Sequence, residues 1–215
     1  MCSHTFLMTR NHRNDRALFD FYAPLCKGGS HEFVQLSVLL KEARARFPAH
    51  GPSTEVDWHL TISNKARVTL NEEVNAYQAR VDTELTGMHV LYLQAPETAA
   101  ARGLQQSSRV FPGLIFVGCR TELGVTHGLF YDVMAAQDGS TTTLKSFDSG
   151  EIVRVLTTQV SAHIRPAHAL TYFSSQGRSL DGVVRLHDTR SPNFSKRHLQ
   201  IGVGRALAAH LVQVV

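Results

Sequence analysis

The chain reads as an α/β protein, a parallel sheet with flanking helices that is interrupted by a small all-β insertion. Three observations predict this. Strand-like and helix-like runs alternate before residue 110 and again after residue 156, the pattern of an α/β core. Between them, Leu114 to Val117, Leu129 to Val133, Thr141 to Leu144 and Ile152 to Leu156 are short β-rich runs separated by Gly118, Gly128, Asp138-Gly139 and Gly150. Finally, 43% hydrophobic and 19% charged residues over 215 positions supply a sizeable core. The chain divides accordingly into 1–109, the insertion 110–156, and 157–215.

In order, Thr5 to Met8 predicts a short strand running into Thr9–Asp15. Asn14 or Asp15 is placed to cap the next helix, because each carries an acceptor for free backbone N–H groups. Leu18, Phe19, Phe21, Tyr22 and Leu25 share a helical face. Gly28-Gly29-Ser30 separates this helix from a second, Glu32 to about Arg46, with Phe33, Leu36, Leu40 and Ala43 as its stripe. Val56 to Ser63 predicts a buried strand. Asn64 is its cap into a helix reaching about Val81 on Val68, Leu70, Val74 and Tyr77, with Lys65 and Arg67 on a solvated face. Met88 to Leu93 is a strand candidate, and Glu97 to Gln106 is helical by its Ala and Leu content. Val183 to Leu186 alternates like a buried strand, and Leu211 to Val215 closes the chain.

Composition bounds the function. Lys and Arg number 22 against 18 Asp and Glu, a mild positive bias compatible with a polyanionic partner. Cys2, Cys26 and Cys119 are widely spaced, which argues against a disulfide framework or a Cys-rich zinc site. The 12 histidines are scattered without metal-ligand spacing. Met1 to Arg16 has no apolar signal-peptide core, and no run approaches membrane-helix length. These features read as an intracellular, reduced, soluble protein with no membrane partner.

Two stretches near the C-terminus carry the chemistry. Ala169 to Leu180, ALTYFSSQGRSL, resembles motif V of superfamily 1 helicases, roughly A-x-T-x-H-K-x-Q-G-x-T. About 30 residues on, Phe194 to Ala206, FSKRHLQIGVGRA, resembles motif VI, roughly x-x-L-Y-V-x-L-S-R-A. Phe111 to Gly118 with Gly124 to Phe130 is similar to the P-G-x-x-V … V-x-N-G pattern of an SH3-like insertion, with His127 where Asn is preferred. Thr61-Ile62-Ser63-Asn64 with Asn71 resembles the T-x-x-N-x-x-x-x-x-x-N block. Asn11-His12-Arg13-Asn14-Asp15 resembles motif IV. Together they resemble the second RecA-like domain of a RecD-like, PIF-type superfamily 1B DNA helicase.

The resemblance implies an ATP-dependent 5′-to-3′ DNA helicase of which this chain is the C-terminal motor domain. Arg13 and Arg205 would then reach the ATP γ-phosphate, a task suited to a planar, permanently charged guanidinium. Gln176 and Gly177 would lie near the nucleotide, Gly177 allowing close backbone approach. Thr61, Asn64, Thr171, Phe173, Ser174 and Ser179 would line single-stranded DNA, with RNA not excluded. Thr61, Asn64 and Asn71 serve equally well as helix caps. Phe173 and Ser174 stand at the motif's His and Lys positions, and Gly204 at its Ser. Phe173 can stack on a base or close the core. No G-x-x-x-x-G-K-S/T cradle and no strand-borne Asp-Glu pair exist in the chain. ATP and Mg2+ would therefore be bound mainly by a partner lobe carrying the P-loop. The rival reading is a stand-alone single-strand-binding module, or an inactive fragment, without ATPase activity.

Overall fold

A computed structural model describes residues 14–26, 29–31, 33–95, 106–137 and 140–215. The Thr5–Met8 strand, Arg13, the predicted helix over 97–105 and the Asp138-Gly139 turn lie outside the described residues.

Helix α1 (Arg16–Tyr22) begins at Asp15, whose carboxylate accepts from the Leu18 N–H and from the distant Ala209 N–H, each at 2.7 Å. One cap therefore starts the helix and ties it to the C-terminal segment. Helix α2 (Leu36–Arg46) starts later than the sequence suggests, at Gln35, and buries Leu39, Leu40 and Ala43. Phe33 precedes the helix and is 93% exposed, so it is not part of the stripe. Strand β1 (Trp58–Thr61) is buried along its whole length, as suits a central parallel strand covered on both faces.

Helix α3 (Asn64–Thr86) is capped by Ser63, not Asn64: the Ser63 hydroxyl accepts from the Ala66 N–H at 3.1 Å. It ends at Gly87, whose left-handed φ of 66° is what a glycine terminator supplies. Its buried face is Arg67, Asn71, Val74, Asn75 and Ala79, which replaces the predicted stripe of Val68, Leu70, Val74 and Tyr77. Arg67 is not solvated. It is completely buried, with Nε donating to Asn64 Oδ1, and burial together with nearby Arg165 lowers its pKa to about 10.

A two-stranded ribbon follows, β2 (Leu91–Leu93) against β3 (Ser108–Val110). Next come β4 (Ile115–Gly118), β5 (Phe130–Ala135), β6 (Thr141–Ser146) and β7 (Ile152–Leu156). After the short helix α4 (Val160–His163), β8 (Ile164–Pro166) returns to pair with β4. The antiparallel sheet has the order β7-β6-β5-β4-β8 and so takes a strand from beyond Leu156. Pro166, which has no N–H to donate, sits on an edge strand.

The chain then re-enters the parallel sheet with β9 (Ala169–Thr171) and β10 (Val184–Leu186), passes through helix α5 (Lys196–Val203), and closes on β11 (Val212–Val214). The parallel order is β11-β10-β1-β9. One core, including Leu18, Leu40, Leu60, Leu170, Tyr172, Leu186 and Leu199, lies around this sheet. A second, including Phe116, Tyr131, Val133, Leu144, Val155 and Ile164, fills the antiparallel sheet. The rings of Trp58 on β1 and Phe130 on β5, 5.3 Å apart within the first core, join the two sheets. No helix among the described residues is long and apolar enough to cross a membrane.

The amides on α3 explain its polar buried face. β9 is an edge strand, and its outward backbone groups must find partners. Asn71 supplies both: Nδ2 donates to the Ala169 carbonyl at 3.2 Å, and Oδ1 accepts from the Ala169 N–H at 2.8 Å. Asn75 does the same for Arg109 on β3, at 2.8 and 2.7 Å. Asn71 is completely buried and does not face a nucleic acid.

Candidate functional site

The turn after β9 is built by alternation. Tyr172 points inward, fully buried, with its hydroxyl donating to the His187 carbonyl at 2.8 Å and its ring against Phe194 and His198. Phe173 is consequently turned outward and is 53% exposed, which rules out the core reading of this ring. The Thr171 N–H and hydroxyl each lie 3.0 Å from Ser174 Oγ, a local side-chain motif that holds the turn. Ser174 is exposed with its hydroxyl already engaged. Ser175 is buried and donates to the Tyr172 carbonyl. Gly177 has φ 80°, and a Cβ there would meet nothing within 4 Å. It is the backbone conformation that calls for glycine here, not close approach of another group.

Helix α5 presents the second stretch. Ser195 caps it reciprocally with His198. The Ser195 N–H donates to His198 Nδ1 at 3.0 Å, and Ser195 Oγ accepts from the His198 N–H. Burial and neighbouring Arg197 lower the His198 pKa, in keeping with an Nδ1 that accepts. A Cβ on Gly202 would lie 2.7 Å from Leu186 and 2.9 Å from Tyr172, so only glycine lets α5 pack this closely on β10 and the turn.

Arg205 follows α5 and clamps the two stretches together. Its Nε donates to the Ile201 carbonyl at 3.1 Å, and Nη1 donates to the carbonyls of Ser175 (3.4 Å) and Arg178 (3.0 Å). Arg205 also lines a cavity of about 270 Å³ with Tyr22, Gln176, Arg197, Gln200, Ile201 and Gly204. The sequence-predicted Gln176 and Arg205 thus come together. Gly177 and Ser179 lie on the far side of the turn, in a cleft of about 520 Å³ with Phe130, Phe147, Asp148 and Arg178, where Gln176 is the shared wall. Arg178 stacks over Phe130, its carbon 4.3 Å from the ring centroid, and burial lowers its pKa.

Other predicted positions fall elsewhere. Thr61 is completely buried at the end of β1, opposite Thr171, and its hydroxyl donates to the Ser63 carbonyl at 3.1 Å. It closes the strand end and cannot contact a nucleic acid in this fold. Asn64 is exposed at the first turn of α3, where it accepts from Arg67. Arg13 lies outside the described residues.

Arg197, Tyr22 and Arg178 were missed in the sequence reading. Arg197 carried a usable signal, because residues 197, 201 and 205 recur at the spacing that shares one helical face. A buried histidine group was also missed. His59 Nδ1 and His187 Nε2 are 2.8 Å apart across β1 and the end of β10. Burial, then the neighbouring His187 and Arg185 charges, lower His59 to about 3. Burial lowers His187 and His168 to about 4. All three are neutral near pH 7. Among the described residues no group of three His, Cys, Asp or Glu side chains is placed to hold a metal.

No family model and no curated protein matches this sequence. Solved structures do. A structure of Pif1 helicases unwinding forked double-stranded DNA superimposes with a TM-score of 0.60 at 12% identity, over 94% of this chain and 47% of that one. The chain has the fold of about half a Pif1 helicase. Bacteroides Pif1 bound to ssDNA gives a TM-score of 0.56 at 14% identity, over 94% of this chain and 49% of that one. Bacteroides sp Pif1 in complex with ADP-AlF4 gives 0.50 at 14% over the same shares. The RecA-like class implied by the two C-terminal motifs is thereby the observed one. This chain spans only about half the length of these Pif1 structures.

The Arg205 cavity suits an anion. Among the described residues its lining includes Arg197, Arg205, Gln176 and Gln200 and no Asp or Glu. It can meet phosphate charge but offers no ligand set for Mg2+.

Proposed function

We propose that this chain is a motor lobe of an ATP-dependent DNA helicase of the superfamily 1B, 5′-to-3′ kind. In this reading Arg205 meets the γ-phosphate of ATP held by a second lobe, which carries the phosphate-binding loop and the Mg2+. Arg13 serves the same phosphate. The turn Thr171–Ser179, with its exposed Phe173, carries single-stranded DNA together with Asn64. The observation that supports this reading best is that Gln176 and Arg205, from two separate motif-like stretches, line one cavity that among the described residues holds no Asp or Glu. The Pif1 structures of the same fold, one holding ADP-AlF4 and one ssDNA, favour the same assignment.

The test joins this chain to the lobe of a Pif1 helicase that bears its phosphate-binding loop. The chain alone has no ATPase activity above background, and the joined protein turns over ATP with DNA stimulation. Arg205→Ala lowers that turnover by roughly 10³-fold, the scale of an arginine acting on phosphoryl-transfer charge. Undiminished turnover by Arg205→Ala would remove Arg205 from the chemistry.

A second reading, a single-strand-binding module without ATPase activity, draws on the three carbonyls that the Arg205 guanidinium holds. It predicts that the joined protein binds DNA with no turnover at all.

A further inference from the structure

Arg197 belongs to two places at once. It lines the cavity of Arg205 and Gln176, yet its guanidinium carbon lies over the Phe173 ring, 5.7 Å from the centroid. Phe173 is the exposed aromatic of the turn, with His198 against it edge-on at 5.3 Å. The physical reason for this resting place is charge. Arg205 already supplies one cation to a cavity whose lining, among the described residues, holds no Asp or Glu, and two like charges there repel. The negative face of an aromatic ring is a favourable alternative site for a guanidinium.

We infer that Arg197 couples single-strand binding to phosphate binding by moving between the Phe173 ring and the Arg205 cavity. The inference rests on the proposed function of this site and adds its mode of regulation. A base stacking on Phe173 takes the ring face that Arg197 covers, so the guanidinium is released toward the cavity and raises its affinity for anions. A phosphate in the cavity reverses the repulsion, draws Arg197 in and clears the ring. Both ligands favour the same state of Arg197, so each tightens the other by the same factor. That factor is the stability of the ring-docked state, about 2- to 5-fold for an exposed cation–π contact. The device depends on Phe173, the residue that stands where the helicase motif carries His.

The experiment measures binding of a fluorescein-labelled oligothymidylate to the whole chain, with and without saturating tripolyphosphate at constant ionic strength. In the unmodified chain tripolyphosphate tightens oligonucleotide binding by about 2- to 5-fold. Arg197→Ala weakens tripolyphosphate binding and Phe173→Leu weakens oligonucleotide binding, and in each the coupling factor, read at saturating tripolyphosphate, falls to about one. A factor of one or less in the unmodified chain, or an unchanged factor in Arg197→Ala, overturns the inference and leaves the site reading in place. A chain that binds neither probe removes the site reading and the inference with it.

Discussion

The side-chain amide of Asn14 donates to the backbone carbonyl of Ala206. The neighbouring Asp15 N–H donates to the Leu207 carbonyl at 3.1 Å. The start of α1 is thus bonded to the two residues that follow Arg205, and Tyr22, one helix later, reaches the Arg205 cavity. The N-terminal helix is part of the site's wall.

Arg205 itself holds that wall. Arg205→Ala removes a charged donor from three carbonyls on two segments; a hydrogen bond to a charged group contributes about 1.5–3 kcal/mol, but Arg205 is only partly buried and water replaces part of these bonds. A loss of about 1–3 kcal/mol is expected, read from the urea midpoint at unchanged m-value. No loss of stability would show that the three bonds are incidental.

Asn71→Ala leaves the N–H and C=O of Ala169 buried without partners. At about 1–3 kcal/mol per unsatisfied group, the total for the two is about 2–6 kcal/mol. Amide hydrogen exchange at Ala169 should accelerate more than at β10. Equal acceleration throughout the sheet would point to global destabilisation and not to an unlatched edge.

The buried histidines set the acid limit of stability. The folded pKa values of His59, His187 and His168 lie below the ordinary 6.5, at about 3, 4 and 4. The unfolded chain therefore binds more protons than the folded one between these limits, and stability rises with pH there. Their contribution is complete above about pH 6.5 and is lost as pH falls toward 4. Each group adds at most about 1.4 kcal/mol per pH unit. Urea titrations at pH 7.5, 6 and 5 should show the decline, and a flat profile above pH 5 would contradict neutral burial.

Phe173→Ala should leave stability nearly unchanged, because the ring is more than half exposed. Oligonucleotide affinity should fall by about 5- to 150-fold if one base stacks there, from a stacking contribution of roughly 1–3 kcal/mol. A fall in affinity that tracks unfolding, measured by circular dichroism on the same samples, would mean the ring serves the fold instead.

Sequence alone was enough for the α/β class and the β-rich segment, because both are written in local periodicity, while resemblance to helicase motifs singled out the two stretches that line the candidate site. Alternation marks β5, β6 and β7 regardless of their partners. ALTYFSSQGRSL and HLQIGVGRA carry their pattern in consecutive residues. Tertiary structure decided everything that depends on a distant partner. Asn71 is read as a polar helix residue until Ala169, 98 positions away, needs both its amide atoms. His59 and His187 are two of 12 scattered histidines until parallel strands bring them within a hydrogen bond, 128 positions apart in sequence. Arg67 looks solvated by composition, yet the fold buries it completely, near the charge of Arg165. A guanidinium, an amide or an imidazole has no periodic signature of its own. Whether it faces solvent, a strand edge or a cavity is settled by which backbone groups the fold leaves unpaired beside it.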